Sequence, residues 1–173
     1  GTMFTSFYTQ AVCGPSRSAL LTGRYPCRSK GWGMPASEIT FAELIKGAGY
    51  QTACIGKWDV SNRKPIIDRM PNAQGFDYFF GALGANDPGI IKFHLNNESV
   101  GTSKDMGGLT TLYTDKSIDF LKNKRDPKKP FVLYLAHTMM HTIIDASERF
   151  RGKSKGGLYG DVMEEVDSST GRI

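Results

Sequence analysis

Thr40-Phe-Ala-Glu-Leu-Ile-Lys-Gly-Ala-Gly-Tyr-Gln-Thr-Ala-Cys-Ile-Gly-Lys-Trp-Asp59 reads as a helix, a turn and a strand in succession. Thr40 is placed to cap the helix, and Glu43 follows at the capping-box spacing. Phe41, Leu44 and Ile45 fall on one apolar face. Gly47 and Gly49 stop the helix. Tyr50 to Gly56 is then expected as a buried strand that delivers Lys57-Trp58-Asp59. A helix, a glycine turn and a buried strand make the unit of an α/β fold. In open α/β sheets, ligands bind beyond the carboxyl ends of strands. Lys57 stands at such an end, either as a solvated charge or as a ligand-binding group.

Toward the C-terminus, Tyr113 to Asn123 is amphipathic and predicts a helix with Ile118, Leu121 and Phe120 inward. Pro130-Phe-Val-Leu-Tyr-Leu-Ala-His137 is almost continuously apolar, as a central strand covered on both faces should be. His137 and His141 follow its carboxyl end. Two readings fit them: a zinc pair, or one catalytic or substrate-binding histidine at the strand end. The latter is favoured, because the pair leaves a strand rather than lying on a helix. His94 sits among polar residues and reads as surface. Asp161 to Ser168 predicts a last helix, after a break at Gly156-Gly157.

Toward the N-terminus, Phe4 to Thr9 reads as a short strand. Ala11-Val-Cys-Gly-Pro-Ser-Arg-Ser-Ala-Leu-Leu-Thr-Gly-Arg24 reads as a loop that becomes a helix. Pro15 suits a first helical turn, and Gly23 a C-terminal stop. Cys13 is thus expected just ahead of a helix N-terminus, where free N–H groups and the dipole favour an anion. Arg17, four residues on, returns along the same face. A nucleophile beside an anion cradle and a structural cysteine both fit these features. Arg24 to Ser37 reads as loop. Residues 60–108 read as a loop-rich insertion, either substrate-shaping or merely superficial.

The chain has 173 residues, of which 39% are apolar and 23% charged. That is enough for one soluble domain with a core. No apolar run approaches the roughly 20 residues that span a bilayer. Gly1 to Gln10 has no signal-peptide pattern. The net charge of +5 is spread along the chain, so nucleic acid is not an expected partner. Cys13, Cys27 and Cys54 have no paired spacing. Cys54 reads as a buried free thiol, with a Cys27–Cys54 bridge left open.

Cys13-Gly14-Pro15-Ser16-Arg17 followed by Leu21-Thr22-Gly23-Arg24 resembles the signature of the type I sulfatases, and every fixed position is matched. The likeness extends to Thr40–Gly49, Gly56-Lys57-Trp58, Gly75–Gly81, Tyr113–Asp115, Phe131–His141 and the region beyond. The resemblance implies an alkaline-phosphatase-like α/β/α sandwich, incomplete at both ends, with residues 1–173 as a partial catalytic domain. It implies that a formylglycine-generating enzyme oxidises Cys13 to formylglycine, whose hydrate attacks sulfur. Arg17 then supports that nucleophile, Lys57 binds the sulfate and His141 serves the substrate oxygen. The substrate is a sulfate-ester small molecule or sulfated sugar, and the protein is exported or lysosomal.

Two departures accompany the likeness. The family commonly carries His two residues after the Lys, where this chain has Asp59. A carboxylate is a competent base, but its charge opposes a sulfate unless neutralised. The resemblance implies a cation, Ca²⁺ or Mg²⁺, held by an Asp-Asp pair upstream of the Cys and by an Asp-Asn pair and a nearby Lys downstream; neither pair is in this sequence, although a converted Cys13 supplies one ligand. The main expectation is sulfate-ester hydrolysis by the complete protein. Its alternatives are a phosphonate monoester or phosphodiester hydrolase of the same superfamily, and a non-catalytic fragment or pseudoenzyme.

Overall fold

The computed structural model describes residues 3–173. Helices α1 (Cys13–Thr22), α2 (Pro26–Ser29) and α3 (Phe41–Gly47) precede strand β1 (Gln51–Lys57). Strands β2 (Tyr78–Ala82), β3 (Ile91–Leu95) and β4 (Glu98–Ser103) follow. Helix α4 (Leu109–Asp119), strand β5 (Phe131–Ala136) and helix α5 (Gly157–Arg172) complete the order. The sheet runs β4-β3-β2-β1-β5. β1 is parallel to both β2 and β5, while β3 and β4 return antiparallel.

Two cores sandwich this sheet. Ile55, Phe80 and Phe93 pack beneath Leu109, Tyr113 and Val162 of α4 and α5. On the opposite face Cys54, Trp58 and Phe79 pack with Leu21 of α1 and Ala42 of α3. The α/β/α layering expected from sequence is therefore present. The capping box is formed as well: Glu43 N–H donates to Thr40 Oγ1 at 3.2 Å, and Thr40 N–H donates to Glu43 Oε2 at 2.8 Å. Leu44 faces out instead of in, and Ala42 takes the buried place, because so short a helix presents only a narrow face to the sheet.

Several expectations need correction. Among the described residues β5 pairs on one side only, with β1, and β1, flanked by β2 and β5, is the more deeply buried strand. A continuous apolar run reports cover over its faces, not the presence of a neighbour on each side. Phe4 to Thr9 forms no strand: it is exposed, and a cleft of about 810 Å³ separates it from β5, so no ladder is made. The 60–108 stretch contains three strands and two 3₁₀ turns rather than a loop-rich insertion. β3 and β4 form a hairpin through Asn96-Asn97, with Asn96 at φ 52°. That is the left-handed geometry of tight hairpin turns. His94 lies on β3 and is buried, not superficial. α2 occupies part of the expected 24–37 loop. α4 begins at Leu109, and α5 extends well beyond 161–168.

Candidate active site

The site stands at the carboxyl ends of β1 and β5, against the first turn of α1. Gly56 makes this meeting possible. Its φ is 107°, and a Cβ there would strike the Ala136 carbonyl of β5. Only glycine accepts both conditions without strain. Trp58 then anchors the exit from β1. Its N–H donates to Ala82 O at 2.8 Å, its Nε1 donates to Arg69 O at 2.9 Å, and the ring is fully buried. With Trp58 fixed in the core, Lys57 and Asp59 on either side of it are brought together above the sheet. Lys57 Nζ lies 3.1 Å from Asp59 Oδ2, and both side chains are buried.

Cys13 is the first residue of α1, with Val12 as its N-cap, so it lies inside the helix start rather than ahead of it. The first intrahelical bond runs from Ser16 N–H to Val12 O. The Cys13 and Gly14 N–H groups are left outside the helical ladder. Arg17 does not turn back to Cys13. Its Nη1 donates to Lys57 O at 2.7 Å and to the Tyr134 hydroxyl at 3.4 Å. It ties α1, which begins at Cys13, to the end of β1 and to Tyr134 of β5.

Asp59 is the hub. Its backbone is left-handed at φ 60°. Oδ2 accepts from Trp32 Nε1 at 3.2 Å as well as pairing with Lys57, and Oδ1 accepts from Arg63 Nε at 2.9 Å. Burial pushes the Asp59 carboxyl up, but the Cys13 thiol, Lys57 and Arg63 outweigh it, and its pKa lies below the ordinary aspartate value. Arg63 Nη1 is also 3.5 Å from Asp87 Oδ2, and Asp87 Oδ1 is 3.5 Å from His141 Nδ1. His141 thus reaches Asp59 through two intervening side chains. Asn86 fastens the His141 loop by donating Nδ2 to the His141 and Ile143 carbonyls, at 3.1 and 2.7 Å.

The structure joins Cys13, Lys57, Asp59 and His141, the residues singled out in the sequence, into one network with Arg17 beside it. Trp32, Arg63, Asn86 and Asp87 belong to that network too, and the sequence reading misses them. The Asp59–Arg63 spacing of four is a faint signal, but this stretch is not helical. Asn62 and Arg63 are left-handed, with φ 54° and 57°. His137 goes elsewhere: Nε2 lies 3.0 Å from Ser169 Oγ, and burial pulls its pKa down to about 4. It forms no zinc pair with His141. Cys27 is exposed and Cys54 buried, both as free thiols, so they do not bridge. Burial pushes the Cys54 thiol up, which keeps it protonated and unreactive.

A calcium site is not assembled from these residues. Ca²⁺ takes six to eight oxygens. The carboxylate beside Cys13, that of Asp59, is already engaged by Lys57, Trp32 and Arg63, and two of those are cations. Among the described residues no group of three His, Cys, Asp or Glu side chains is placed to hold a metal.

An α/β/α sandwich with Cys13 at the start of α1 and Lys57 and Asp59 at the exit of β1 matches one family throughout its length. The sulfatase family model covers residues 1–173, and the chain belongs to that family, whose fold is alkaline-phosphatase-like. It is 34% identical to N-acetylgalactosamine-6-sulfatase of Sus scrofa over 207 residues, covering 100% of this chain and 39% of that relative. The chain thus spans about two fifths of the length of such curated relatives. Its fold resembles the PsFucS1 sulfatase from Pseudoalteromonas sp., with TM-score 0.79, 24% identity, and 96% of this chain and 42% of that one covered. It also resembles BT4656, solved with its substrate D-glucosamine-2-N,6-O-disulfate. There the TM-score is 0.66 and the identity 29%, over 83% of this chain and 28% of that one.

Proposed function

We propose that the protein to which this chain belongs hydrolyses sulfate esters, with a sulfated sugar as substrate. The observation that carries the reading is the buried Lys57–Asp59 pair beside Cys13 at the start of α1, in a chain matched by the sulfatase family over its whole length. Lys57, Arg63 and Arg17 outnumber Asp59 and Asp87, so the site is net positive and suits an anion. The relatives quoted are sulfatases, which favours a sulfate ester over a phosphonate. Sugar substrates are favoured because relatives act on sulfated sugars by name or bind them in their structures.

When a formylglycine-generating enzyme has oxidised Cys13, the residue supplies the oxygen nucleophile. The other roles belong to side chains in place. Lys57 balances the charge of the bound sulfate and of the sulfur–oxygen bond as it breaks. Arg17 ties α1, which begins at residue 13, to the end of β1. His141 gives a proton to the departing sugar oxygen. Asp59, ionised and beside residue 13, takes the proton released there. A cation such as Ca²⁺ does not fit the described residues, and no step is routed through it.

The mass of the tryptic peptide bearing residue 13, from protein made in its native host, tests the modification. A loss corresponding to thiol-to-aldehyde conversion is expected, and an unmodified thiol overturns that part. Cys13→Ala in the complete protein should abolish aryl sulfate turnover, whereas full activity in that variant refutes the reaction. Aryl sulfate should also be cleaved faster than aryl phosphonate.

A further inference from the structure

We infer that Arg63 is the counter-charge that makes an aspartate workable at position 59. This rests on the sulfate-ester reading and adds a positioning residue to it. The difficulty it answers is physical. Asp59 is fully buried and lies beside the residue that would attack sulfur, so its negative charge opposes an incoming sulfate. In the free site two cations hold it, Lys57 on Oδ2 and Arg63 on Oδ1.

These two cations are not equivalent. Lys57 is the lysine that meets the sulfate, and its ammonium is a point charge with three donors. Once it turns donors toward a sulfate, Asp59 Oδ2 retains the neutral indole N–H of Trp32 and a weakened share of Lys57. Arg63 stays with Oδ1 throughout. Its guanidinium is anchored from the other side, with Nη1 toward Asp87, so the planar fork holds two carboxylates at once. Asp87 in turn faces His141 Nδ1. One guanidinium thereby neutralises the carboxylate beside the nucleophile, while His141 Nδ1, 2.6 Å from the Thr142 carbonyl, stands only loosely, at 3.5 Å, from Asp87. The left-handed backbone at Asp59, Asn62 and Arg63 is the local turn that folds this arginine back onto the aspartate.

The inference predicts a dependence that a purely structural arginine would not have: Arg63 matters because residue 59 is charged. The test is a double-mutant cycle in the complete protein, with turnover of an aryl sulfate and calorimetric binding of inorganic sulfate as readouts. Melting temperatures confirm that each variant is folded. Arg63→Gln in the Asp59 background should raise KM and the sulfate Kd by about 10- to 100-fold, the loss expected when a charged hydrogen-bonding partner is removed. Its effect on kcat should be smaller, and Arg63→Lys should recover part of the loss. With Asp59→Asn, where turnover is itself reduced, the same Arg63→Gln change should weaken sulfate binding at least tenfold less. In the Asp59→His background, which carries the residue common in the family, Arg63→Gln should likewise cost little. Equal losses in all backgrounds would mean that Arg63 acts on the anion directly or only supports the fold, and would overturn the inference. A wild-type protein that cleaves no sulfate ester overturns the parent reading instead, while the sulfate-binding cycle still judges Arg63.

Discussion

Gly14→Ala is the sharpest probe of how this site is built, because its sign should depend on Trp32, a residue outside the helix. Gly14 is the second residue of α1. A Cβ there would fall inside the indole of Trp32, against Cδ1, Cγ and Nε1. Trp32 is held in that place by its Nε1 bond to Asp59 Oδ2 at 3.2 Å. The ring is 37% exposed, so it has a way out, but it cannot leave and keep the bond. A hydrogen bond to a charged acceptor contributes about 1.5–3 kcal/mol. Lys57 and Arg63 remain on Asp59, which puts the loss at the lower end, about 2 kcal/mol. Replacing glycine by alanine in a helix returns about 0.5–1 kcal/mol. The net expectation is about 1–1.5 kcal/mol of destabilisation. With Trp32→Ala the steric conflict is gone, and only the helical gain remains. Gly14→Ala should then stabilise by about 0.5–1 kcal/mol. Urea unfolding of the complete protein in the four combinations measures both values. If Gly14→Ala shifts stability by the same amount with and without Trp32, the close approach of indole and helix start does not govern this position and the reasoning fails.

Two further outcomes follow from the packing. Thr40→Ala should cost about 1–2 kcal/mol. It removes the α3 cap and also the buried bond from Thr40 Oγ1 to Gln74 O at 2.8 Å, and Thr40→Ser should restore most of the loss in the same unfolding assay. His137 has a folded pKa of about 4 against a reference of 6.5, so on acidification the unfolded chain takes up its proton first. Its contribution is therefore complete above pH 6.5 and is lost as pH falls toward 4. The loss is on the order of 3 kcal/mol at most. His137→Gln should flatten this part of the acid dependence of stability, and an unchanged slope between about pH 7 and about pH 4.5 would remove His137 as its source.

What can be read from the sequence is local. The Thr40–Glu43 box, the strand ending at Lys57 and the helix starting at Cys13 each depend on residues a few positions apart, and each is present. Lateral order in the sheet is less legible, because Phe131 to Ala136, paired on one side only among the described residues, is as apolar as it would be with a neighbour on each side. The hairpin at Asn96-Asn97 is marked by its turn residues, but polar surroundings mask a buried His94. The site follows the same division. Its strand-borne member, Lys57, stands at the strand end where the sequence puts it, and Cys13 stands within one position of its expected place at the helix start. Its loop-borne members, Arg63 and Asp87, depend on left-handed turns and on a contact between segments far apart in the chain, for which spacing gives no direction.

Asp59 shows why that matters for function. Read along the chain, a carboxylate in place of a histidine, beside a lysine proposed to bind the sulfate, is an electrostatic fault. Whether it is one in the folded protein depends on which cations the fold brings to each of its oxygens. Lys57 alone would not suffice on the proposed reading, in which the lysine that pairs with Asp59 also engages the sulfate. Arg63 resolves the conflict because it approaches the other oxygen and is held from behind by Asp87. The charge at position 59 and the arginine four residues later are therefore one unit, and a change at either should be judged only with the other in view.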